Sequence, residues 1–192
     1  AGLERQSRQD FRYIDTTARP SGDGYVLHGE KTLVINGGNA ETFVASARSS
    51  GNSGDNHGIS LFLVDANAAG IARSTIPTID GGRVANVSFD NVAVPKNALL
   101  GELDSGWEAL ETVIQQARIA ICAEAVGIME TLCTKTVGYT RTRTQFGAAI
   151  GSFQALQHRM VDMLMAAEQS RSILYRAICE YQQDEESASA TI

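Results

Sequence analysis

Along the first hundred positions apolar residues tend to alternate with polar ones; beyond them they recur at helical spacing. "GYVLHGEKTLVING" (24–37) predicts two strands joined by a tight hairpin at His28-Gly29, because glycine accepts a positive φ without steric cost. "ETFVASARS" (41–49) and "GISLFLVDA" (58–66) predict further strands, with the polar loop "GNSGDNHG" (51–58) between them. "RVANVSFDNVAVP" (83–95) sets Val87 and Phe89 on one phase, then Asp90-Asn91, then Val92 and Val94. The pattern adds up to about six short strands, an all-β unit of sandwich or barrel type.

The period then changes. "SGWE" (105–108) fits a capping box with Ser105 at the N-cap and Glu108 at N3. Leu110, Val113, Ile114, Ala117, Ile121, Ala125, Ile128 and Leu132 follow at helical spacing, which predicts a helix to about residue 141. A second helix starts near Ser152 and carries Phe153, Leu156, Met160, Leu164, Ala167, Leu174 and Ile178 on one face. Both exceed the mean helix of ~11–12 residues, and a short connection makes them antiparallel neighbours. "DEESASATI" (184–192) reads as a third helix just beginning, as in a chain cut at that point. Two helices with wide apolar faces cannot enclose a core. The expected fold class is therefore α+β: a β domain over 1–100, then, over 101–192, a long antiparallel helical hairpin of an incomplete four-helix bundle, completed by absent sequence or by other subunits.

Composition narrows the function. Hydrophobic residues make up 43% of the 192 positions, enough for a packed core. A net charge of −6 speaks against nucleic acid. No run reaches the ~18 apolar residues of a membrane span. "AGLERQSRQDF" has no apolar signal stretch, so a cytoplasmic location is expected. Cys122, Cys133 and Cys179 lack a CxxC pair or a nearby histidine, which argues against zinc and for a reducing compartment.

The connection "RTRTQFGAAIGSFQALQH" (141–158) holds more donor chemistry than a turn requires. Arg143 offers a planar fork suited to phosphate. The helix start near Ser152 offers unpaired N–H groups and the positive dipole end. Phe146 and Phe153 offer flat apolar surface, and Gln154 both donor and acceptor. Together they would suit a dinucleotide. They would equally suit a solvated arginine pair at a helix C-terminus with phenylalanines as packing.

Residues 143–163, "RTQFGAAIGSFQALQHRMVDM", resemble the helix–loop–helix signature of the acyl-CoA dehydrogenase family: Arg-x-x-Phe-Gly, Ile, Phe-Gln, then Val-Asp-Met. The upstream helix with Arg118, Ala125-Val126-Gly127 and Tyr139 is similar too. So are "GYVLHGEKTLVINGGNAETFVASAR", "GISLFLVD", "VSFDNVAVPKNALLG" and "GWEAL", in the family's order. The resemblance implies FAD lying between the β domain and the helices. It implies that Arg143, Gln145, Phe146 and Gln154 reach the pyrophosphate and adenosine of an FAD held by another subunit, in a homo-oligomer or a heteromer. It implies an acyl-CoA substrate, a carboxylate base that takes an α-proton, hydride transfer to flavin N5, and electron-transfer flavoprotein as acceptor. A flavin oxidase or oxygenase on the same fold and a non-catalytic partner subunit are the alternatives.

Several positions depart from the family pattern. Where the family places a helix-borne base, this chain has Ala117 before Arg118, so the base is expected outside the chain; Glu124, seven residues on, is a poor substitute and reads better as a polar core or interface contact. Arg118 reads either as a buried orienting group or as one half of an ion pair. "AGLERQSRQD" resembles a degraded Thr-Glu-Pro-Gly-x-Gly-Ser-Asp stretch. The flavin-facing strand reads Leu33-Val34-Ile35-Asn36-Gly37 instead of Trp-Ile-Thr-Asn-Gly, so Leu33 replaces the covering aromatic and Ile35 the hydroxyl near N5. Only the backbone of Leu33, Val34 and Ile35 then remains for polar ring atoms. Within the family the resemblance points to the small-subunit type of pimeloyl-CoA dehydrogenase, acting on dicarboxylyl-CoA.

Overall fold

A computed structural model describes residues 2–8 and 10–183; the predicted third helix lies outside them. The chain divides into two compact units, Ala1–Leu110 and Glu111–Ile192.

The first unit is one seven-stranded sheet of β1 (Thr17–Ser21), β2 (Gly24–Ile35), β3 (Thr42–Arg48), β4 (Ile59–Asp65), β5 (Ile71–Pro77), β6 (Arg83–Pro95) and β7 (Leu99–Leu100). Its order is β5-β6-β2-β1-β3-β4-β7, antiparallel throughout except for β1 against β3. In a flat sheet β2 and β4, three ladder spacings apart, would be separated by ~14 Å. Tyr25 of β2 and Phe62 of β4 instead meet edge-on with ring centroids 5.2 Å apart. The sheet therefore curls on itself and wraps a core that includes Leu27, Phe43, Val64, Val87, Phe89 and Val92.

The predicted hairpin at His28-Gly29 does not exist: β2 runs straight through it. The turn lies earlier, at Gly22-Asp23, where Ser21 pairs with Gly24. Gly29 answers to a different need, since a Cβ there would lie 2.6 Å from the Thr16 Cα. It sits where the β2–β6 register shifts, between the Leu27↔Val92 and Gly29↔Phe89 pairs. The extra residue falls on β6, at Asn91 with φ 50, and it explains the phase change read at Asp90-Asn91. A second bulge, on β2, falls between the pairs Lys31↔Val87 and Val34↔Ala85. It contains Leu33 at φ 52, and it turns Val34 rather than Leu33 toward the core.

The second unit consists mainly of α1 (Gly106–Thr142) and α2 (Gln154–Gln183). Contacts run in reverse order along the two: Gln116 Nε2 donates to the Tyr181 hydroxyl (3.0 Å), Arg171 to Glu130 (Nε, 2.7 Å), and the Thr140 hydroxyl to Met160 Sδ (3.3 Å). This is the predicted antiparallel hairpin. Among the described residues no helix is long and apolar enough to cross a membrane.

Candidate functional site

The bulge at Leu33 decides what the first unit presents outward. With Val34 in the core, Leu33 and Ile35 point to the other face and are 56% and 86% exposed. Ile35, Val84 and Ile76 are register partners across β2, β6 and β5, so they form one outward row. That row is apolar. Its backbone is less open than the sequence implied. The Leu33 N–H donates to Asn86 Oδ1 (3.3 Å), and the Val34 carbonyl accepts the Gly37 N–H (3.0 Å).

The connection between the helices is a small β-hairpin. β8 (Thr144–Gln145) pairs with β9 (Ala148–Ala149) around Phe146-Gly147. Both tip residues have positive φ, 54° and 80°, as a two-residue hairpin of type I′ demands. Arg143 closes its base: the Arg143 N–H donates to the Tyr139 carbonyl (2.9 Å) and its carbonyl accepts from Ile150 (2.8 Å), while the side chain is exposed. Phe146 is 93% exposed and meets Phe153 edge-on at 6.2 Å. Gln154 is exposed and opens α2, ahead of Leu156 and Gln157, whose N–H groups go to the Phe153 carbonyl. Gln145 is turned back, its Nε2 donating to the Thr144 carbonyl (2.9 Å). The fold thus brings Arg143, Phe146 and Gln154 to one end of the helical unit, and it sets Leu33 and Ile35 on the other unit.

The family model for the acyl-CoA dehydrogenase middle domain matches residues 2–92, and that for its C-terminal domain matches residues 104–192. The chain belongs to the acyl-CoA dehydrogenase family. An acyl-CoA dehydrogenase of Bacillus subtilis is 32% identical over 177 residues, covering 91% of this chain and 46% of that protein. A chain from the structural study of the electron transferring flavoprotein of Acidaminococcus fermentans superposes with a TM-score of 0.86 at 31% identity, over 99% of this chain and 50% of that one. PigA, solved with FAD and proline, gives a TM-score of 0.89 at 28% identity, over 100% of this chain and 51% of that one. The chain spans a little under half the length of the Bacillus relative.

On the helix where some members of the acyl-CoA dehydrogenase family carry a base, Ala117, Arg118 and Glu124 are all exposed on α1. Within this chain alone Arg118 is exposed, so either role would need groups beyond its own helix face. The degraded N-terminal stretch holds a group that sequence reasoning passed over. Glu4 is buried and takes Lys31 Nζ at 2.6 Å, the Asp15 N–H at 2.7 Å and the Thr16 N–H at 3.0 Å. Lys31 is fully buried and also donates to the Ser46 hydroxyl (3.2 Å). Burial pushes the Lys31 ammonium below its ordinary value, and the Glu4 carboxylate pulls the other way. The pair ties the N-terminal segment to the inner face of β2. A signal existed: Lys31 occupies the inward phase of Leu27, where a charge needs a partner.

Proposed function

We propose that this chain is the cofactor-facing part of a cytoplasmic, oligomeric, FAD-dependent acyl-CoA dehydrogenase that desaturates an acyl-CoA thioester between its α and β carbons. Electron-transfer flavoprotein receives the electrons. The observation that carries this reading is Phe146, a bulky residue in the left-handed region, almost wholly exposed, between an exposed arginine and a helix start. That conformation costs on the order of 1–3 kcal/mol, and the edge-on contact with Phe153 leaves most of the ring uncovered. A ligand ring stacked on Phe146 and Phe153 accounts for it. The donor set fits a dinucleotide: Arg143 as a fork for a diphosphate, the Gln154 carboxamide for a heteroaromatic edge, and the α2 N-terminus for negative charge.

On the β unit, Leu33 and Ile35 offer an apolar floor for a flavin ring, with Val34 contributing backbone alone. When bound, FAD supplies the hydride acceptor of the dehydrogenation. The chain's residues bind and orient it and keep water from one face of the ring. The proton goes to a carboxylate outside this chain, since Ala117 cannot take it and Glu124 lies on the exposed surface of α1. The acyl chain is of a non-standard type, a dicarboxylyl group among the candidates, because Leu33 and Ile35 differ from the usual aromatic and hydroxyl.

The test is FAD retention by the intact parent protein. It should purify yellow, and Arg143→Ala should weaken FAD binding roughly tenfold to a hundredfold, as expected for a lost hydrogen bond to a charged group. Unchanged occupancy removes the phosphate role. A second reading, an oxidase on the same fold, is favoured by the loss of the hydroxyl at Ile35. Rapid reoxidation of the reduced protein by air would select it.

A further inference from the structure

The bulge at Leu33 leaves its N–H outside the β2–β6 ladder, between the pairs Lys31↔Val87 and Val34↔Ala85. A leucine held at φ 52 with an unpaired N–H would be doubly unfavourable. Asn86 stands on β6 between Ala85 and Val87, on the outward face, and its Oδ1 accepts that N–H at 3.3 Å. A carboxamide also carries two donor hydrogens on Nδ2. Among the described residues none of the hydrogen bonds uses them. They stand between Leu33 on β2 and the exposed Ser74 on β5, beside the apolar row of Ile35, Val84 and Ile76.

We propose that Asn86 both positions the flavin-facing strand and donates a hydrogen bond to a carbonyl oxygen of the flavin ring; this rests on the FAD reading above. Oδ1 fixes the strained bulge that turns Leu33 and Ile35 outward. Nδ2 would donate to a ring carbonyl, which accepts in both oxidation states. Reduced flavin would carry more negative charge on that oxygen, so a donor there would favour the reduced form.

Two variants of the FAD-loaded parent protein separate these roles, read by two-electron potential and by amide exchange at Leu33. Asn86→Asp keeps the acceptor, loses the donor and adds negative charge. Leu33 exchange should stay unchanged, while binding of reduced FAD relative to oxidised falls about tenfold, a potential lower by about 30 mV. Asn86→Ala loses both groups, so the potential falls and Leu33 exchange speeds up about tenfold or more. An unshifted potential in both variants with FAD bound overturns the donor role, and unaltered Leu33 exchange in Asn86→Ala overturns the positioning role. Should Asn86→Ala fail to fold, Asn86→Asp is read against Ser74→Asp, which adds the same charge at the neighbouring exposed position: a larger fall at Asn86 supports the assignment, and an equal or smaller one overturns it. If the unsubstituted protein takes up no FAD, the FAD reading fails and this assignment with it. Yellow protein with unshifted variants sinks the assignment only.

Discussion

The two units solve the burial problem in opposite ways. The curled sheet encloses Leu27, Phe62, Val87 and Phe89 completely, and it even buries an ion pair at Glu4 and Lys31. The helical hairpin leaves Ile121, Ile128, Leu132, Val161, Leu164 and Ile173 each more than half exposed. A sheet that curls has two faces and can close one of them alone. Two helices meet along a single seam, and the rest of a wide apolar stripe stays open. The contrast teaches where stability and association reside: the β unit carries its own core, and the helical unit presents surface.

The largest effect expected is at the buried pair. Lys31→Met strands the Glu4 carboxylate and should cost about 3–5 kcal/mol in denaturant unfolding, while adding Glu4→Gln, which removes the charge and keeps an acceptor for the Asp15 and Thr16 N–H groups, should restore part of the loss. The pH dependence has a definite sign. With its folded-state pKa pushed below the ordinary 10.5, Lys31 releases its proton in the folded protein at a lower pH than in the unfolded chain. The unfolded state then binds more protons, so this residue's contribution to stability rises with pH from the folded pKa toward 10.5. In Lys31→Met that alkaline rise should vanish.

Next comes the hydrophobic contrast. Phe62→Ala should cost about 3–5 kcal/mol, because its ring is fully enclosed. Ile128→Ala, at a half-exposed position, should change the unfolding free energy by less than about 0.5 kcal/mol. Sedimentation sharpens the pair: a loss of self-association in Ile128→Ala alone would assign the helical face to an interface. Equal stability losses would break the comparison.

The smallest effect is also the one whose sign differs between units. Gly138→Ala lies inside α1 with nothing within 4 Å of the added Cβ, so it should stabilise by up to about 1 kcal/mol in thermal unfolding. Gly29→Ala in β2 would drive its Cβ to 2.6 Å from the Thr16 Cα, at φ 149, and should destabilise instead.

Legibility in the sequence followed the range of the interactions involved. The helices appear within a residue or two of the predicted bounds, since a long 3.6-residue period is a local signal that Gly106–Thr142 and Gln154–Gln183 repeat many times. β1 and β5 were not read as separate strands; β5 is exposed along most of its length, so no alternation marks it. Gly29 looked like a turn because glycine in a strand has two explanations, and only the approach of Thr16 chooses between them. At the candidate site Arg143, Phe146 and Gln154 were visible as residue types in order. The hairpin that groups them was not, because a phenylalanine at positive φ is not what a turn preference selects. Leu33 and Ile35 were visible as departures from a strand pattern, but the bulge that aims them outward was not.

What the sequence determined by itself is the sum of local terms: strand and helix periods, the antiparallel return of α2, and the family to which the order of short motifs belongs. What only the tertiary structure decided are the two register shifts in the β2–β6 ladder, the Glu4–Lys31 pair and the Asn86 contact to Leu33. Each of these joins residues far apart along the chain or depends on a neighbouring strand's geometry. The periodicity of a segment is fixed by its own residues, whereas a bulge or a buried charge is stable only when a distant group arrives to satisfy it.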